Sequence, residues 1–419
     1  MSKLFQSSQL LTVSKLSKVS KISKFSTNPP LLTTSRIPPL LHLSNEEKAL
    51  VEKVKTFAQK EVKPLLKEMD KTGNVDEGLI EEIFKLKLMG LEAPSQYGGS
   101  NGSFFDILIT IEELSKVDPG FAVNVHLQNA IVIPMLMNYA TKEQKEKYLG
   151  RVCKDTIGAF ALSETSSGSD AFSMKTVAKK DGDDFLISGS KWGITHAPLA
   201  EFFMVFANAE PEKGYKGVTC FLVDAKENGV IVGEKEDTLG MRAAGVASVH
   251  FDNVRVHKSA ILGEYGQGYK YAIEVLNASR ILIGAQMVGL AQGCFDETIP
   301  YLRDRKQFGQ RLIDFQVPSN QAKIRTEIEA ARLLTYNSGR IKDYGVPFVK
   351  EASMTKYYAP EVACKTTKTC IELLGGVGFT KNYGAEKFYR DAVVGGIYEG
   401  TANIQLNTIA KIVDNEYKK

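Results

Sequence analysis

The apolar residues that follow Ser44 recur at the spacing of an amphipathic helix. Between positions 44 and 71 they recur every three or four residues, singly or as adjacent pairs, at Leu50, Val54, Phe57, Ala58, Val62, Leu65 and Leu66. Ser44 and Asn45, followed by Glu46 and Glu47, have the composition of a helix start. Helical patterns continue in "LIEEIFKLKLMGL" (79–91), "FFDILITIEELSKV" (104–117) and "KEQKEKYLGRV" (142–152). The pattern therefore predicts an all-helical region over 46–157.

The period changes near Gly158, where short runs rich in Val, Ile, Phe and Thr are separated by Gly, Asp and Asn. Such runs are typical of strands and hairpins, and they occur at 176–195, 201–209, 217–225, 229–236 and 248–256. Helical patterns return from Tyr269, over 269–307, 319–345 and 350–376. Because strands and helices do not alternate, we predict neither a doubly wound sheet nor a barrel. The expected fold class is α+β, with domains at 46–157, 158–268 and 269–419.

Composition limits the function classes. A chain of 419 residues with 43% hydrophobic and 24% charged residues is typical of a soluble globular protein with more than one domain. No run approaches the ~20 apolar residues of a membrane span. The five cysteines are scattered without a Cys-x-x-Cys pair, and the five histidines lack ligand spacing. We therefore expect a reducing compartment and no metal site.

Residues 1–45 have the composition of a mitochondrial transit peptide. They contain no Asp or Glu, six basic residues and ten serines, and no continuous apolar run of a secretory signal. A disordered basic tail is the alternative. Without this segment the chain has 47 basic and 49 acidic residues, a net charge of −2. The remaining charge gives no reason to expect a nucleic-acid partner.

Glu399 lies in "IYEGTANIQ" (397–405), among neighbours that are apolar or small. A carboxylate in such surroundings loses hydration, which raises its pKa toward neutrality and suits it to act as a general base. The alternative is a solvated glutamate in a glycine-rich turn. The sequence alone leaves both interpretations open.

The chain lacks the common nucleotide and hydrolase motifs. No Gly-x-Gly-x-x-Gly follows a strand, and there is no P-loop and no Gly-x-Ser-x-Gly. Two other stretches are candidates for binding an organic cofactor. The loop in "FALSETSSGSD" (160–170) has N–H groups and hydroxyls that can cradle a pyrophosphate, although such Gly-Ser loops are common. Arg305 in "RKQFG" (305–309) can pair with phosphate or can be a solvated charge at a helix end.

Taken together and in this order, these stretches resemble the acyl-CoA dehydrogenase family. The resemblance covers 46–419 and includes the α-β-α order, "ELLGGVGF" (372–379), "YRDA" (389–392) and "IYEGTANIQ". Four stretches, "GYKGVTCFLVD", "GYKYAIEVLN", "LAQGCFDETIPY" and "IYEGTANIQLNTIAK", are most similar to mitochondrial members that act on short, 2-methyl-branched acyl-CoAs.

The resemblance implies a reaction and a catalytic residue. Glu399 would take the α-proton of an acyl-CoA, while the β-hydrogen leaves as hydride to FAD and a trans-2-enoyl-CoA is formed. The thioester oxygen would accept hydrogen bonds from the cofactor and from the Glu399 N–H. Some members take their base from the position of Ser279, which is not acidic here.

The resemblance also implies binding residues and partners. The FAD site would include Phe160, Leu162, Ser163, Gly168, Ser169, Gly193, Ile194, Thr195, Thr401, Ala402 and Asn403. A neighbouring subunit would supply Arg305, Phe308, Gln316, Glu372, Leu373, Leu374, Gly375 and Gly376, which implies a homotetramer. The acyl-CoA would contact Ser169, Tyr215, Tyr269, Asn277, Ala278, Ser279, Arg280 and Gly400. Electrons would pass to electron-transferring flavoprotein in the mitochondrial matrix.

The sequence departs from the family pattern at the flavin edge and in the pyrophosphate loop. The family has Met-Trp where this chain has Trp192-Gly193, so the only tryptophan is one position early. A shift of one residue turns a strand side chain to the other face, unless a bulge restores the register. Ser166 replaces a glycine, which costs about 1 kcal/mol if that position requires positive φ. An acyl-CoA oxidase and a non-catalytic assembly homologue are therefore the alternative functions.

Overall fold

The N-terminal helical region begins at a capping box. In the computed structural model, which describes residues 39–315 and 317–418, the Ser44 hydroxyl accepts from the Glu47 N–H, and the Glu47 carboxylate accepts from the Ser44 N–H. The helices are α1 Asn45–Phe57, α2 Lys63–Thr72, α3 Glu77–Lys85, α4 Phe104–Ser115, α5 Pro119–Leu127, α6 Ile133–Tyr139, α7 Lys142–Gln144 and α8 Gly150–Val152. Turns of π-helix at Ala58–Val62, Gln128–Val132 and Lys145–Leu149 join α1 to α2, α5 to α6 and α7 to α8.

The middle of the chain forms a seven-stranded mixed sheet. Its strands are β1 Gly158–Ala161, β2 Val177–Asp181, β3 Asp184–Thr195, β4 Phe202–Asn208, β5 Val218–Asp224, β6 Val230–Lys235 and β7 Val246–His257. The order is β1-β4-β2-β3-β7-β6, with β5 paired to β4. β1 runs parallel to β4, whereas the long pair β3–β7 is antiparallel. β4 is buried along its whole length, which explains the six consecutive apolar residues that precede Asn208 at its end.

The C-terminal region is helical again. It contains α9 Gly268–Asp304, α10 Val317–Asp343, α11 Val349–Leu374, α12 Ala385–Val393 and α13 Ala402–Tyr417, with a hairpin of β8 Lys306–Gln307 and β9 Gln310–Arg311 after α9. α9 packs against α4 because it carries glycines at the contact. A Cβ at Gly289 would lie 2.2 Å from the Glu112 carbonyl oxygen, and one at Gly293 would lie 2.1 Å from that of Lys116. Leu40–Lys419 forms one compact unit.

Within the described residues, two helical segments are long and apolar enough to cross a membrane by length and composition, Pro119–Tyr139 and Gly268–Asp304. Of their most apolar windows, 83% and 67% respectively are buried inside the fold. Core helices of soluble proteins have the same composition, so these segments are weak evidence for a membrane span.

The order of helices, strands and helices is as the sequence predicts, and two local predictions are wrong. The helix expected over 79–91 ends at Lys85, because Lys87 and Gly90 have positive φ values of 55° and 106° and turn the chain back. The helix expected over 269–307 ends at Asp304, and Lys306 and Gln307 form a strand of the β8–β9 hairpin. The predicted transit peptide lies almost entirely outside the described residues.

Candidate active site

Glu399 occupies a turn with left-handed backbone between α12 and α13. Its φ is +52°, which is unusual for a residue with a side chain, and Gly400 follows with φ +95°. The positive φ of Gly400 favours glycine at this position, whereas a Cβ there would crowd only the end of the Gln405 side chain, 2.7 Å away. Backbone strain of this kind is typical of functional sites, where the surrounding structure holds it in place.

The Glu399 side chain is buried, with 8% of its surface exposed. Its Oε1 accepts a hydrogen bond from the Ser279 hydroxyl at 2.9 Å. Burial raises the pKa of Glu399 to about 7, while the Ser279 hydrogen bond and the charges of Lys356 and Arg280 oppose the rise. At neutral pH the carboxyl is therefore divided between its two protonation states, which suits a group that accepts and later releases a proton.

Two cations hold the backbone of this turn in place. The Arg280 Nε donates to the Glu399 carbonyl oxygen at 3.1 Å, and its Nη1 donates to the Asn277 Oδ1 at 2.7 Å. The Lys356 Nζ donates to the carbonyl oxygens of Gly395 and Gly400, at 2.6 and 3.2 Å. α9 thus supplies Asn277, Ser279 and Arg280 from a single helical turn, and α11 supplies Lys356.

Sequence reasoning missed His126 and Lys356. His126 on α5 is buried, and its Nε2 lies 2.8 Å from the Ser279 Oγ and 3.7 Å from the Glu399 Oε1. Burial, and secondarily the neighbouring His196, lowers the pKa of His126 to about 3, so the imidazole is neutral at physiological pH. The sequence did contain a signal for both residues. His126 in "FAVNVHL" and Lys356 in "SMTKYYA" are polar residues within otherwise largely apolar helical stretches, where a polar side chain is unusual.

The loop at 163–170 is built around a second buried carboxylate, that of Glu164. It accepts from the Lys175 and Thr176 N–H groups at 2.7 and 3.0 Å and from the Lys191 Nζ at 2.9 Å. Gly168 and Ser169 at the tip of the loop are exposed. Ser166 is not among the residues with positive φ, so the strain that the missing glycine could have caused does not occur.

The flavin-edge segment contains a β-bulge at Trp192 and Gly193. In the pairing of β3 with β7, Lys191 faces Val249 and Ile194 faces Ala247, so two residues of β3 lie opposite one of β7. The Trp192 indole is 45% exposed and donates to Glu236 at 2.9 Å. Beyond the bulge Ile194 is buried and Thr195 half-buried. A bulge therefore lies where Trp192-Gly193 departs from the family pattern. Such a bulge is the feature that can restore the register.

The other residues predicted to bind cofactor or substrate within this chain fall into three groups. Phe160 and Leu162 lie at the end of β1, where the Leu162 carbonyl oxygen accepts from Lys191 and that of Ser163 accepts from the Trp192 N–H. Tyr215 and Tyr269 form an edge-to-face pair with centroids 5.0 Å apart. Thr401, Ala402 and Asn403 begin α13, directly after Glu399 and Gly400.

The residues predicted to reach a neighbouring subunit lie on the surface of this chain. Arg305, Phe308, Glu372, Gly375 and Gly376 are exposed, with Phe308 at 94%, whereas Leu373 is half-buried and Leu374 is buried. Gln316 lies outside the described residues. Among the residues that the structure does describe, no three His, Cys, Asp or Glu side chains cluster as metal ligands do.

Comparison with known proteins gives the same family for all three regions. Models of the N-terminal, middle and C-terminal domains of acyl-CoA dehydrogenase match residues 44–156, 159–254 and 266–413. The chain belongs to the acyl-CoA dehydrogenase family. Acyl-CoA dehydrogenases are flavin-dependent oxidoreductases that act on CH–CH groups.

Among curated relatives, the chain is similar to the mitochondrial short/branched chain specific acyl-CoA dehydrogenases of Rattus norvegicus and Bos taurus. It is 49% identical to the first over 380 residues, 90% of this chain and 88% of the relative. It is 50% identical to the second over 391 residues, 92% and 90% of the two chains.

Among solved structures, the fold is similar to butyryl-CoA dehydrogenase from Megasphaera elsdenii. The TM-score is 0.87 at 32% identity, covering 89% of this chain and 99% of that one. A glutaryl-CoA dehydrogenase from Mycobacterium smegmatis in complex with FADH2 is also similar, with TM-score 0.85, 28% identity, and 89% and 95% of the two chains covered.

The residues near the ends of β1 and β3 fit a flavin. They combine the apolar side chains of Phe160, Leu162 and Ile194, of which Phe160 is half-buried and the other two are buried, with the hydroxyl groups of Ser163, Ser169 and Thr195. A Cβ at Gly168 or Gly193 would meet no atom within 4 Å, so the backbone is open to a ligand at both places. An apolar surface for a ring system and polar groups for its phosphates are what a dinucleotide cofactor requires.

Proposed function

We propose that this protein catalyses the α,β-dehydrogenation of short and 2-methyl-branched acyl-CoAs, such as 2-methylbutyryl-CoA, with Glu399 as the base and FAD as the cofactor. The observation that carries the proposal is the buried Glu399 carboxyl, whose pKa is raised to about 7. The branched substrate is supported by the similarity to short/branched chain specific relatives.

The α-proton of an acyl thioester is weakly acidic, so its removal requires a base with a raised pKa and stabilisation of the forming enolate. Glu399 breaks the α-C–H bond by taking the proton, and the electron pair of that bond forms the new double bond. The flavin, when bound, accepts the β-hydrogen with its electron pair as a hydride. Burial of Glu399 excludes the water that would otherwise solvate the carboxylate and lower its pKa.

Further residues would bind the substrate and the cofactor. The thioester end of the substrate would be lined by Asn277, Ala278, Ser279, Arg280 and Gly400. The Tyr215–Tyr269 pair would lie nearer the CoA. Ser163, Gly168, Ser169 and Thr195 would hold FAD through hydroxyl and N–H groups. Arg305, Phe308 and the backbone of 372–376 would complete the FAD site of a neighbouring subunit, which is the basis for proposing a homotetramer.

The proposal also covers the electron acceptor, the compartment and the pathway of the enzyme. Electron-transferring flavoprotein would reoxidise the cofactor, and the mitochondrial matrix would be the compartment. The compartment is supported by the composition of residues 1–45 and by the mitochondrial relatives. The proposed pathway is the catabolism of isoleucine and branched-chain fatty acids, which generates substrates of this class.

The test is anaerobic reduction of the bound flavin. Residues 45–419 are purified with FAD, and the flavin spectrum is recorded while 2-methylbutyryl-CoA is added. We expect the wild type to bleach and a Glu399→Gln variant, with equal flavin content, to bleach at least about 100-fold more slowly. Equal rates would show that Glu399 is not the base. A colourless protein that does not retain added FAD would support the non-catalytic homologue instead.

Butyryl-CoA, isobutyryl-CoA and octanoyl-CoA, tested beside 2-methylbutyryl-CoA, rank the substrates. Because one methylene in an apolar pocket changes binding by only ~1–3 kcal/mol, the preference should be graded. Rapid reoxidation of the reduced enzyme by oxygen would favour an oxidase, and slow reoxidation a dehydrogenase.

A further inference from the structure

Hydrogen-bond geometry places three side chains from distant parts of the chain in one row. His126, Ser279 and Glu399 come from α5, α9 and the turn before α13, and they are linked by contacts of 2.8 Å (Nε2 to Oγ) and 2.9 Å (Oγ to Oε1). His126 and Ser279 are fully buried, with at most 1% of each residue exposed. Water therefore does not compete for these contacts.

Counting protons gives the direction of the two hydrogen bonds when Glu399 is ionised. A serine hydroxyl has one proton, and the ionised carboxylate can only accept, so the Ser279 proton points to Oε1. The Ser279 oxygen must then accept from His126, which places the imidazole proton on Nε2. The Nδ1 of His126 accordingly has no proton, and among the described residues it has no hydrogen-bond partner.

The two carboxylate oxygens of Glu399 are consequently not equivalent. Oε1 is held by Ser279, whereas Oε2 is buried and has no hydrogen-bond partner within the described part of the chain. A buried carboxylate oxygen without a donor is costly unless it has another use. Its free lone pair is the most basic position on the side chain.

We propose that His126 and Ser279 are positioning residues that hold Glu399 through Oε1 and leave Oε2 as the atom that receives the α-proton. The inference rests on the proposed function, in which Glu399 is the base. In the proton transfer the substrate α-C–H bond breaks and the Oε2–H bond forms. Ser279 continues to donate to Oε1, so the hydrogen bonds need not rearrange as the proton arrives.

Other titratable groups face Glu399 and are unchanged in the test. Arg280 contacts its carbonyl oxygen from α9, Lys356 lies close from α11, and the adjacent Tyr398 hydroxyl contacts Gln286. His196 acts on His126 from the end of β3. Because every variant below retains these groups, differences between the variants report on the row itself.

The experiment measures the protonation of Glu399 directly. Infrared difference spectra of the substrate-free holoenzyme between pH 5 and 9 contain a protonated-carboxyl band, which is assigned to Glu399 by its loss in Glu399→Gln. We expect Ser279→Ala to raise the midpoint of this band by about one pH unit, because the anion loses a hydrogen-bond donor. Ser279→Thr retains the hydroxyl and should keep the wild-type midpoint. Ser338→Ala, which removes a buried hydroxyl bonded to Leu334 and Thr355, is the matched control and should also keep it.

Flavin bleaching by 2-methylbutyryl-CoA provides the second readout. For Ser279→Ala we expect about tenfold slower single-turnover bleaching at pH 6 and a nearly normal rate at pH 9. His126→Gln retains an N–H donor and should resemble the wild type. His126→Leu should raise the midpoint less than Ser279→Ala does, and it should add nothing in the Ser279→Ala background, since its effect passes through Ser279.

Several results would overturn the inference. They are an unchanged midpoint in Ser279→Ala, a Ser279→Thr variant that folds with full flavin but behaves like Ser279→Ala, and additive effects of His126→Leu and Ser279→Ala. An equal loss of rate at every pH would also overturn it, since that indicates a structural role. Failure of the proposed function is a separate result, because it appears as bleaching by Glu399→Gln.

Discussion

Glu164 and Glu399 are both buried carboxylates, and their pKa values move in opposite directions. Glu164 accepts from two backbone N–H groups and from Lys191, and these donors outweigh the burial that would raise its pKa, so the pKa is lowered. Glu399 has one hydrogen-bond donor on Oε1 and more distant cations, and its pKa is raised to about 7. Burial by itself therefore does not make a base. The number of donors that face the carboxylate decides whether it is structural or reactive.

The backbone differs between the two sites as well. The Glu164 loop has no positive φ from Thr165 to Asp170, whereas Glu399 itself has φ +52° and needs Gly400 beside it. The loop that would hold the cofactor is relaxed and fully hydrogen-bonded at its base. The turn that would perform the chemistry is strained and incompletely bonded, and Arg280, Lys356 and Gln405 hold its carbonyl oxygens in place.

The largest expected effect is on the stability of the fold, and it comes from Glu164, whose carboxylate accepts from several donors. Glu164→Gln should lower the free energy of unfolding by about 3–5 kcal/mol at pH 7, because it leaves the buried Lys191 ammonium without its counter-charge and replaces an acceptor facing two N–H groups. Denaturant titration at fixed protein concentration measures it. The double variant Glu164→Gln/Lys191→Met, which removes the charge, should recover part of the loss. A change below 1 kcal/mol would mean that the pair does not hold the loop.

Glu399→Gln should have the opposite effect on stability. Because the folded-state pKa of about 7 lies above the ordinary value of 4.5, the folded protein binds the proton more tightly, and its stability falls as pH rises between those values. Above pH 7 the ionised carboxylate costs about 3 kcal/mol, which glutamine avoids. The variant should therefore be more stable than the wild type at pH 8.5 and no more stable at pH 4.5. Denaturant titration at the two pH values decides it.

The rate of flavin bleaching should depend on pH through the same group. Only ionised Glu399 can accept the α-proton, so below pH 7 the rate should fall by about tenfold per pH unit and above pH 7.5 it should level off. Stopped-flow bleaching between pH 5.5 and 9 with 2-methylbutyryl-CoA measures this profile. A rate that stays constant down to pH 5.5 would show that burial does not tune Glu399.

The smallest expected effect is at Ser166, in the relaxed loop. Since Ser166 is not among the positive-φ residues, glycine relieves no strain there and adds freedom to the unfolded chain. Ser166→Gly should thus lower the free energy of unfolding by up to about 1 kcal/mol, measured by denaturant titration. If the variant is instead more stable, the loop is strained at this position, and its contrast with the Glu399 turn is weaker.

The sequence alone determined what depends on neighbours along the chain. Helix and strand periods, the Ser44 cap and the α-β-α order are local patterns, and the apolar bed of Glu399 is visible within ten residues. That stretch made a raised pKa one of two open interpretations, and the family resemblance follows from the order of the motifs.

Only the tertiary structure decided which groups share the site. His126, Ser279, Lys356 and Glu399 are separated by up to 273 positions, and the packing of α5, α9 and α11 brings them together. The bulge at Trp192 and Gly193 likewise exists only in the pairing of β3 with β7. Local sequence can place a carboxylate among apolar residues, but the number of donors that reach it depends on contacts between distant segments. That number separates Glu399 from Glu164.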